Sequence, residues 1–488
     1  MLFNSIHFLF FFPVVTTIYF LLPQGKRWAW LLAASCYFYA VFIPKYLLIL
    51  ALLIGIDYSA GLLIQTRPAK KKAYLVASLC ANIALLFLFK YFNFFNSSLQ
   101  AFASLIGWNY PIGALSLLLP IGLSFHTFQS MSYVIEVYRG RQKAEKNLGI
   151  YALYVMFYPQ LVAGPIERPQ NLLHQFYQKH NFDYARVTAG LKLMLWGLFK
   201  KIVIADRLAI VVNHVYASPA DRGPAALILA TVFFAFQIYC DFSGYSDIAI
   251  GSAKVMGFNL MKNFDRPYSS RSTSEFWRRW HISLSTWFKD YVYIPLGGNR
   301  TNAPRWYGSL FFTFLISGLW HGANWTYILW GSLNGFYLLF AIWTKNFREK
   351  LAKLSGLSHA PKLRSALQTV ITFSLICFSW IFFRANSAQD SFYIASNLFK
   401  GIAHTINGDY LKQALSPAET GVSAAQLALC VLGIVFLEIA QKIIAKDGFL
   451  ERFGCQSVFV RWTVYYCLIL GIILCGVFKN EHFIYFQF

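Results

Sequence analysis

Two histidines lie in stretches whose neighbours could give them a chemical role, and the first is His321. It lies in the run from Trp306 to Thr344, which contains no Asp, Glu, Lys or Arg. An ionisable side chain in such an apolar run is costly unless it is paired or lines a cavity. A neutral imidazole there could accept a proton from a hydroxyl nucleophile near neutral pH. The alternative is a neutral histidine that bridges two helices through hydrogen bonds.

The second histidine, His281, lies in the basic stretch SSRSTSEFWRRWHISLSTWFKDYVYIPLGGNR. Ser272 and Glu275 have the spacing of a capping box, which predicts a helix that starts there, runs towards Tyr293 and ends before Pro295. On one continuous helix, His281 shares an aromatic face with Trp277, Leu284 and Phe288. A second stripe lies to one side of this face and contains Arg278, Ile282, Ser285 and Lys289.

Basic residues surround this predicted helix. The stretch from Lys262 to Arg305 holds eight Lys or Arg residues against three acids, which predicts a position at the cytoplasmic surface. One interpretation is an interfacial helix whose cations meet lipid headgroups. The other is the mouth of a site for a polyanionic cytosolic substrate, where the adjacent guanidiniums of Arg278 and Arg279 pair with phosphate oxygens.

The elements that must position these residues are membrane helices. The 488 residues are 57% hydrophobic and only 13% charged. A bilayer-spanning helix needs about 20 mostly apolar residues, and the chain has such stretches at roughly 5–22, 28–43, 46–64, 73–95, 118–135, 148–163, 187–212, 224–240, 306–320, 325–343, 366–383, 421–440 and 461–478. We therefore predict an all-α, polytopic membrane protein with about 11–13 spans.

The charge distribution supports this class and sets an orientation. Lys and Arg total 43 against 20 acidic residues, for a net charge of +23. The basic residues fall in short loops between apolar stretches, which is the positive-inside pattern of membrane proteins, so we predict no nucleic-acid partner. Basic loops after the first, third and fifth spans place the N-terminus outside, and we expect the first span to be a retained anchor.

The chain is expected to form one membrane domain over residues 1–488. Pro- and Gly-rich stretches interrupt the apolar runs in its middle, and broken backbone at membrane depth occurs where it packs in protein or lines a cavity. We therefore expect a catalytic region at about 148–344 between scaffold spans at about 1–147 and 366–488.

Local signals predict where this region bends. The 39 residues from Trp306 to Thr344 suit two crossings, with a bend at Gly322-Ala323-Asn324. Gly318 and Gly322 are expected to let another backbone approach His321 closely. In YCDFSGYSDIAIG, we expect residues 241–244 to break a helix and Asp247 to cap the next one.

The cysteines and acidic residues do not suggest a metal site. The eight cysteines occur singly, mostly inside apolar stretches, without CxxC spacing. The sequence has no HExxH motif and no His/Asp cluster at metal-ligand spacing. We predict neither a bound metal nor a disulfide framework.

Several motifs resemble a known family. FWRRWHISLSTWFKDYVYIPLGGNR and LWHGANWTYILWG look like the two signature stretches of the membrane-bound O-acyltransferase family. PIGLSFHTFQSMSYVIEVYRG, YPQLVAGPIERPQNLLHQF, YCDFSGYSDIAIG and the terminal FIYFQF are similar to its bacterial branch that acts in alginate O-acetylation. The resemblance extends from near residue 1 to Phe488.

This resemblance implies a fold, a site and a reaction. The fold is a ring of transmembrane helices around a funnel and tunnel in a multi-pass protein of the bacterial inner membrane. His321 matches the family histidine at the narrow part of the tunnel, and His281 matches the second family histidine. The acyl donor is expected to be acetyl-CoA, in contact with Arg278, Arg279, Trp280 and Asn324. The acetyl group would pass to an extracytoplasmic, acetyltransferase-like partner protein that completes O-acetylation of a polysaccharide.

Three alternatives remain open at this stage. Two are related reactions, namely D-alanyl transfer to teichoic acid from a carrier protein and O-acetylation of peptidoglycan. The third is a proton-coupled transporter in which His321 relays protons. The sequence lacks the inverted repeat and the paired intramembrane carboxylates that a transporter of this kind would favour.

Overall fold

The computed structural model describes residues 1–117, 119–120, 122–162, 164–400, 408–446, 449–478 and 484. Within these residues every regular element is helical, which confirms the predicted all-α class. The terminal FIYFQF motif, apart from Ile484, lies outside the described residues.

The described residues of the first part of the chain form nine α-helices. They are α1 (Ile6–Leu21), α2 (Gln24–Ala40), α3 (Tyr46–Thr66), α4 (Lys71–Leu86), α5 (Phe92–Leu105), α6 (Leu123–Tyr138), α7 (Leu148–Met156), α8 (Tyr158–Leu161) and α9 (Pro169–Leu172). A π-helical segment, Phe87–Tyr91, joins α4 to α5.

The middle of the chain carries longer helices followed by two short ones. They are α10 (Tyr184–Leu198), α11 (Asp206–Ala217), α12 (Pro224–Met256), α13 (Thr273–Arg279) and α14 (Ile282–Phe288). π-helical segments at Phe199–Ala205 and Lys289–Tyr293 join α10 to α11 and extend α14.

The remaining described helices are α15 (Ala303–His321), α16 (Trp325–Trp343), α17 (Lys345–Leu354), α18 (Pro361–Arg384), α19 (Ala388–Asn397), α20 (Gly408–Ala414), α21 (Pro417–Thr420), α22 (Ala424–Ile444), α23 (Phe449–Gly454) and α24 (Val458–Cys475). Each apolar stretch predicted as a span overlaps one or more of the described helices.

Six described helical stretches are long and apolar enough to cross a membrane. They are Tyr46–Thr66, Pro68–Leu105, Pro224–Met256, Pro361–Arg384, Ala424–Ile444 and Val458–Cys475. The protein is therefore a polytopic membrane protein, as predicted. The higher count of about 11–13 spans, the ring-and-funnel arrangement and the single-domain organisation stay predictions.

The residues cluster into two compact units, Met1–Met194 with Ser246–Lys262 and Leu195–Tyr245 with Asn263–Phe488. In the first unit, α3, α4 and α6 pack together around the buried carboxylate of Asp57. Asp57 accepts hydrogen bonds from Ser78 Oγ at 2.6 Å and Asn82 Nδ2 at 2.9 Å. These bonds satisfy a charged group that burial would otherwise make costly.

In the second unit, α15 and α16 form a hairpin that turns at Gly322-Ala323-Asn324, as predicted. Gly318 lies where the two helices cross. An added Cβ at Gly331 would lie 2.5 Å from the carbonyl oxygen of Phe314 and 3.1 Å from Gly318 Cα. At Gly322 the close neighbour is the ring of Tyr327, so the predicted approach of another backbone occurs at Gly318 but not at Gly322.

The predicted helix break at residues 241–244 is wrong, because α12 is continuous from Pro224 to Met256. Asp241 does not interrupt the backbone hydrogen bonds, since its carboxylate is engaged elsewhere. Lys201 Nζ lies 2.7 Å from Oδ1, and the Ile484 N–H donates to Oδ2 at 2.8 Å. Asp247 lies inside the same helix and therefore does not cap a new one.

Candidate active site

The stretch around His281 forms two short helices separated by a break. α13 begins as predicted, because the Ser272 side chain accepts a hydrogen bond from the Glu275 N–H at 3.1 Å. The Glu275 carboxylate accepts from the Arg271 N–H, one residue before the cap. The predicted continuous helix towards Tyr293 is wrong, since the chain breaks at His281, which has left-handed dihedrals (φ 42°, ψ 56°).

Asn263 explains this break. Its backbone carbonyl accepts the Ile282 N–H at 2.9 Å, and its side-chain oxygen accepts the Ser283 N–H at 3.2 Å. These two donors belong to the first turn of α14, where helical N–H groups have no partner within the helix. A neighbouring segment therefore starts a new helix after His281, and the capping-box signal at Ser272 could not reveal it.

The His281 imidazole is held inside this network. Its side chain is 1% exposed, and its Nδ1 atom lies 3.1 Å from Asn263 Oδ1. The ring of Phe242 lies perpendicular to it, with centroids 4.6 Å apart. Burial lowers the pKa of His281 to about 3, because the charged form is poorly solvated there. The imidazole is therefore neutral at physiological pH.

His281 and His321 line one cavity of about 470 Å³. One wall is α14 with its π-helical extension, and the other is α15. At the start of α15, the Trp306 indole N–H donates to Tyr293 Oη at the end of the π-helical extension, at 2.8 Å. At the end of α15, the ring of Trp320 lies 6.3 Å from the ring of His281, which precedes α14. The two walls thus run antiparallel, and both histidines lie at the same end.

The α15 wall exposes one helical face to the cavity. Its lining residues are Leu310, Thr313, Phe314, Ser317 and His321. Because each helical residue advances the chain by about 1.5 Å, this face extends for about 16 Å. The cavity is therefore elongated, with the histidines at one end.

Aromatic rings surround His321, which is 4% exposed. The rings of Trp330 and Phe383 have centroids 5.0 Å and 5.2 Å from the imidazole and lie nearly perpendicular to it. Trp320, its chain neighbour, lies 4.9 Å away. Such aromatic neighbours exclude water and can stabilise a transient imidazolium through their π-electrons.

The structure separates the two adjacent arginines. Arg278 is exposed and lines the cavity together with the exposed Lys289. Arg279 Nη2 instead forms an ion pair with Glu275 at 2.7 Å, and Arg279 Nη1 lies 3.3 Å from Ser269 Oγ. Of the two guanidiniums predicted to bind donor phosphates, Arg278 alone lies at the cavity.

The other two predicted donor contacts also differ in position. Trp280 is buried and lines the cavity, and its ring lies 5.1 Å from that of Trp380. Asn324 instead caps α16, where its side chain accepts the Thr326 N–H at 3.0 Å. The structure therefore brings together His281, His321, Arg278 and Trp280, but not Arg279 or Asn324.

Sequence reasoning did not select Lys289, Ser317 or Asn263 as site residues. Lys289 could have been selected, because it lies in the predicted stripe that contains Arg278, and all members of that stripe line the cavity. Ser317 is one turn before His321 on the same face of α15. Asn263 had no comparable signal, since it contacts His281 only through the tertiary fold.

Comparison with known proteins decides the family. A profile of the membrane-bound O-acyltransferase (MBOAT) family matches residues 147–384. The chain is 39% identical over 449 residues to the probable alginate O-acetylase AlgI of Pseudomonas aeruginosa, covering 90% of this chain and 82% of that protein. It is 36% identical to the protein of the same name from Pseudomonas putida, over the full length of both chains. The chain belongs to the membrane-bound O-acyltransferase family.

A third relative of this MBOAT chain carries a different name. The peptidoglycan O-acetyltransferase of Helicobacter pylori is 35% identical over 429 residues, covering 80% of this chain and 78% of that protein. The predicted family and the prediction of an enzyme are thus confirmed, and the cavity with both histidines lies within the region that the MBOAT profile matches. Within the described residues, no group of three or more His, Cys, Asp or Glu side chains is placed to hold a metal ion.

Proposed function

We propose that this MBOAT enzyme transfers an acetyl group from cytosolic acetyl-CoA across the bacterial inner membrane for O-acetylation of an exported polysaccharide. The observation that carries the proposal is the shared cavity of His281 and His321, with Arg278 and Lys289 also in its lining. A thioester donor with phosphate groups needs cations at an entrance and a dry site for the reacting carbon. The cavity offers both features.

His321 serves as the general base in this proposal. It accepts the proton of an acceptor hydroxyl while that oxygen forms a bond to the acetyl carbonyl carbon. The bond between that carbon and the sulfur then breaks, and the coenzyme A thiolate leaves and takes up a proton. His281, held by Asn263, keeps the donor in position. The aromatic rings beside His321 stabilise the imidazolium that forms during proton transfer.

The donor enters from the cytoplasmic side. Lys289 follows His281 by eight residues and is on the exposed part of the cavity lining. The basic residues of 262–305 favour the cytoplasmic face by the positive-inside rule. The acetyl group then passes His321 to a hydroxyl on the other face, where an extracytoplasmic, acetyltransferase-like partner completes transfer to the glycan.

The named relatives support the proposed acceptor class. Two are named for alginate and one for peptidoglycan, so an acetylated glycan outside the cytoplasm is the acceptor that these relatives support. Peptidoglycan O-acetylation is the second candidate, and the Helicobacter pylori relative favours it. The two candidate acceptors can be distinguished by measuring acetyl incorporation into purified alginate-type polysaccharide and into peptidoglycan.

A sidedness experiment tests the proposal. The purified enzyme is sealed in vesicles, with radiolabelled acetyl-CoA on the side of the basic loops and the acceptor on the other. We expect donor consumption and acceptor labelling across the membrane, and His321→Ala should abolish both. Labelling of an acceptor supplied only on the donor side would contradict transfer across the membrane. Use of a D-alanyl carrier protein as donor, or transport of an intact solute, would support the other reactions instead.

A further inference from the structure

A second cavity of about 580 Å³ lies beside α16, α17 and α18, and we call it the lateral groove. Residues of α16 and α18 form its two long walls, and residues of α17 and the start of α13 complete the lining. It is within the size range of pockets that hold small molecules in proteins. The reaction proposed above does not use it.

The lateral groove is chemically divided along its length. Its lining on α18 runs from Arg364 through Leu367 and Ile371 to Leu375. These twelve residues of helix span about 16 Å, since each step along a helix advances the chain by about 1.5 Å. Arg364 lies at one end, and Leu375 lies at the other. Half of a bilayer's hydrocarbon core is about 15 Å thick, so the apolar wall has the length of one leaflet.

The opposite wall has the same polarity. Phe336 and Phe340 of α16 lie towards the apolar end and are 46% and 51% exposed. Lys345 and Arg348 follow at the start of α17, beside Arg364. Both walls therefore change from aromatic and aliphatic side chains to cations in the same direction.

Four cations line the groove against one acid, Glu349; they are Arg271, Lys345, Arg348 and Arg364. Arg348 donates to the Ala341 carbonyl at 2.6 Å and thereby caps α16. Within the described part of the chain, Arg271, Lys345 and Arg364 form no ion pair. A ligand with at least one negative charge would complement these cations.

We propose that the lateral groove binds an anionic phospholipid of the membrane, with its phosphate at the cationic end and its acyl chains along α16 and α18. The positive charge of the groove and the length of its apolar wall both favour this occupant. A neutral lipid would leave the cations without a counter-charge, and a soluble phosphate would leave the aromatic walls uncovered. The groove is thus a headgroup-selective lipid site on the membrane-facing side of α16 and α18.

The lipid would occupy the same leaflet as the donor entrance. The rings of Tyr307, near the start of α15, and Trp343, at the end of α16, lie 5.9 Å apart. The start of α15 is also the end that carries Tyr293 in the catalytic cavity. By the positive-inside rule this is the cytoplasmic face, where anionic lipids attract basic residues.

α13 connects the lateral groove to the catalytic cavity. Thr273 lines the groove, whereas the next residue, Ser274, lines the cavity together with Arg278. A lipid phosphate beside Arg271 would therefore hold the end of the helix that presents Arg278 to the donor. Bound lipid should support donor binding without contacting the donor.

The test measures lipid binding to the full-length protein directly. The purified protein is stripped of lipid in neutral detergent and titrated with phosphatidylglycerol or phosphatidylcholine of identical acyl chains, with bound lipid counted by native mass spectrometry. We expect phosphatidylglycerol to bind more tightly by about tenfold or more, since each cation near an anionic headgroup contributes roughly fivefold. Glycerol phosphate, which has the charge but no chains, should not compete.

Two double variants locate the site. Arg271→Gln with Arg364→Gln should reduce the preference for phosphatidylglycerol severalfold, and Arg348 is left intact because it caps α16. Lys350→Gln with Lys353→Gln removes the same charge from exposed positions outside the groove lining and should keep the preference. Equal loss in both double variants, or equal binding of the two lipids by the wild type, would overturn the proposal. Displacement of the bound lipid by coenzyme A would also overturn it, because the groove would then be a donor site.

Discussion

The Nδ1 atom of His281 lies 3.1 Å from Oδ1 of Asn263, and this contact determines the tautomer of the histidine. The same Asn263 oxygen accepts the Ser283 N–H, a group that can only donate. The atom facing His281 is therefore an oxygen, so Nδ1 must carry the proton. The lone pair of the neutral ring then resides on Nε2, which can accept a hydrogen bond in the cavity.

Substitution of Asn263 should change the pH dependence of the enzyme. Burial lowers the His281 pKa to about 3, so the wild-type ring stays neutral above pH 5. Asn263→Asp keeps the acceptor but adds a negative charge, which favours the imidazolium and raises the His281 pKa. As pH falls towards 5, His281 in this variant should take up a proton, and kcat/KM should fall more steeply than in the wild type. Parallel pH profiles would contradict this assignment.

Removal of the His321 imidazole should abolish acetyl transfer. General base catalysis contributes about 10²–10⁴-fold to a rate, so His321→Ala should lose at least about a hundredfold in kcat. The exposed His359, in the turn between α17 and α18, provides a control, and His359→Ala should keep wild-type turnover. Radiolabel transfer at saturating donor measures both variants. If His321→Ala retained most of the wild-type activity, His321 would not be the general base.

The two adjacent arginines should respond differently to substitution. Arg278→Gln removes a cation from the cavity lining and should raise the KM for acetyl-CoA by about fivefold, with a smaller effect on kcat. Lys289→Gln should behave in the same way. Arg279→Gln is the matched control, because that guanidinium pairs with Glu275 outside the cavity, and its KM should be unchanged. An equal rise in the KM of Arg279→Gln would show that positive surface charge in general, and not a contact in the cavity, supports donor binding.

The crossing of α15 and α16 should tolerate no extra methyl group. A Cβ at Gly331 would lie 2.5 Å from the Phe314 carbonyl oxygen, so Gly331→Ala must separate the helices and cost about 1–3 kcal/mol of stability. Gly308, on α15, has no atom within 4 Å of an added Cβ among the described residues. Gly308→Ala should therefore keep the thermal midpoint in detergent, whereas Gly331→Ala lowers it. Equal midpoints would contradict the close packing.

The regular parts of this fold were predictable from apolar length and charge. The hairpin of α15 and α16 followed from a charge-free run twice as long as one crossing, with Gly and Asn at its centre. The break at His281 was not predictable, because the competing hydrogen bonds come from Asn263, eighteen residues earlier in the chain. The continuity of α12 was missed for the same reason, since Lys201 binds the Asp241 carboxylate that the local pattern assigned to a helix end.

The same difference applies to the candidate site. His321 and His281 were selected because ionisable groups in apolar or aromatic surroundings are rare, and this signal is present in the sequence itself. Sequence reasoning predicted the same donor contact for the neighbouring Arg278 and Arg279. In the fold, Arg279 pairs with Glu275, and only Arg278 lines the cavity. Periodicity indicates which residues share a helix face, whereas side-chain pairing depends on contacts that only the folded chain forms.

The left-handed backbone of His281 has a practical consequence for mutational screens. Few residue types other than Gly, Asn, Asp and His adopt such dihedrals readily. In a saturation library at this codon, protein abundance should therefore be highest for those four amino acids, and β-branched replacements should be depleted before any catalytic selection acts. An alanine scan at this codon would confound backbone strain with loss of the ring, whereas Asn and Gly replacements would separate the two effects.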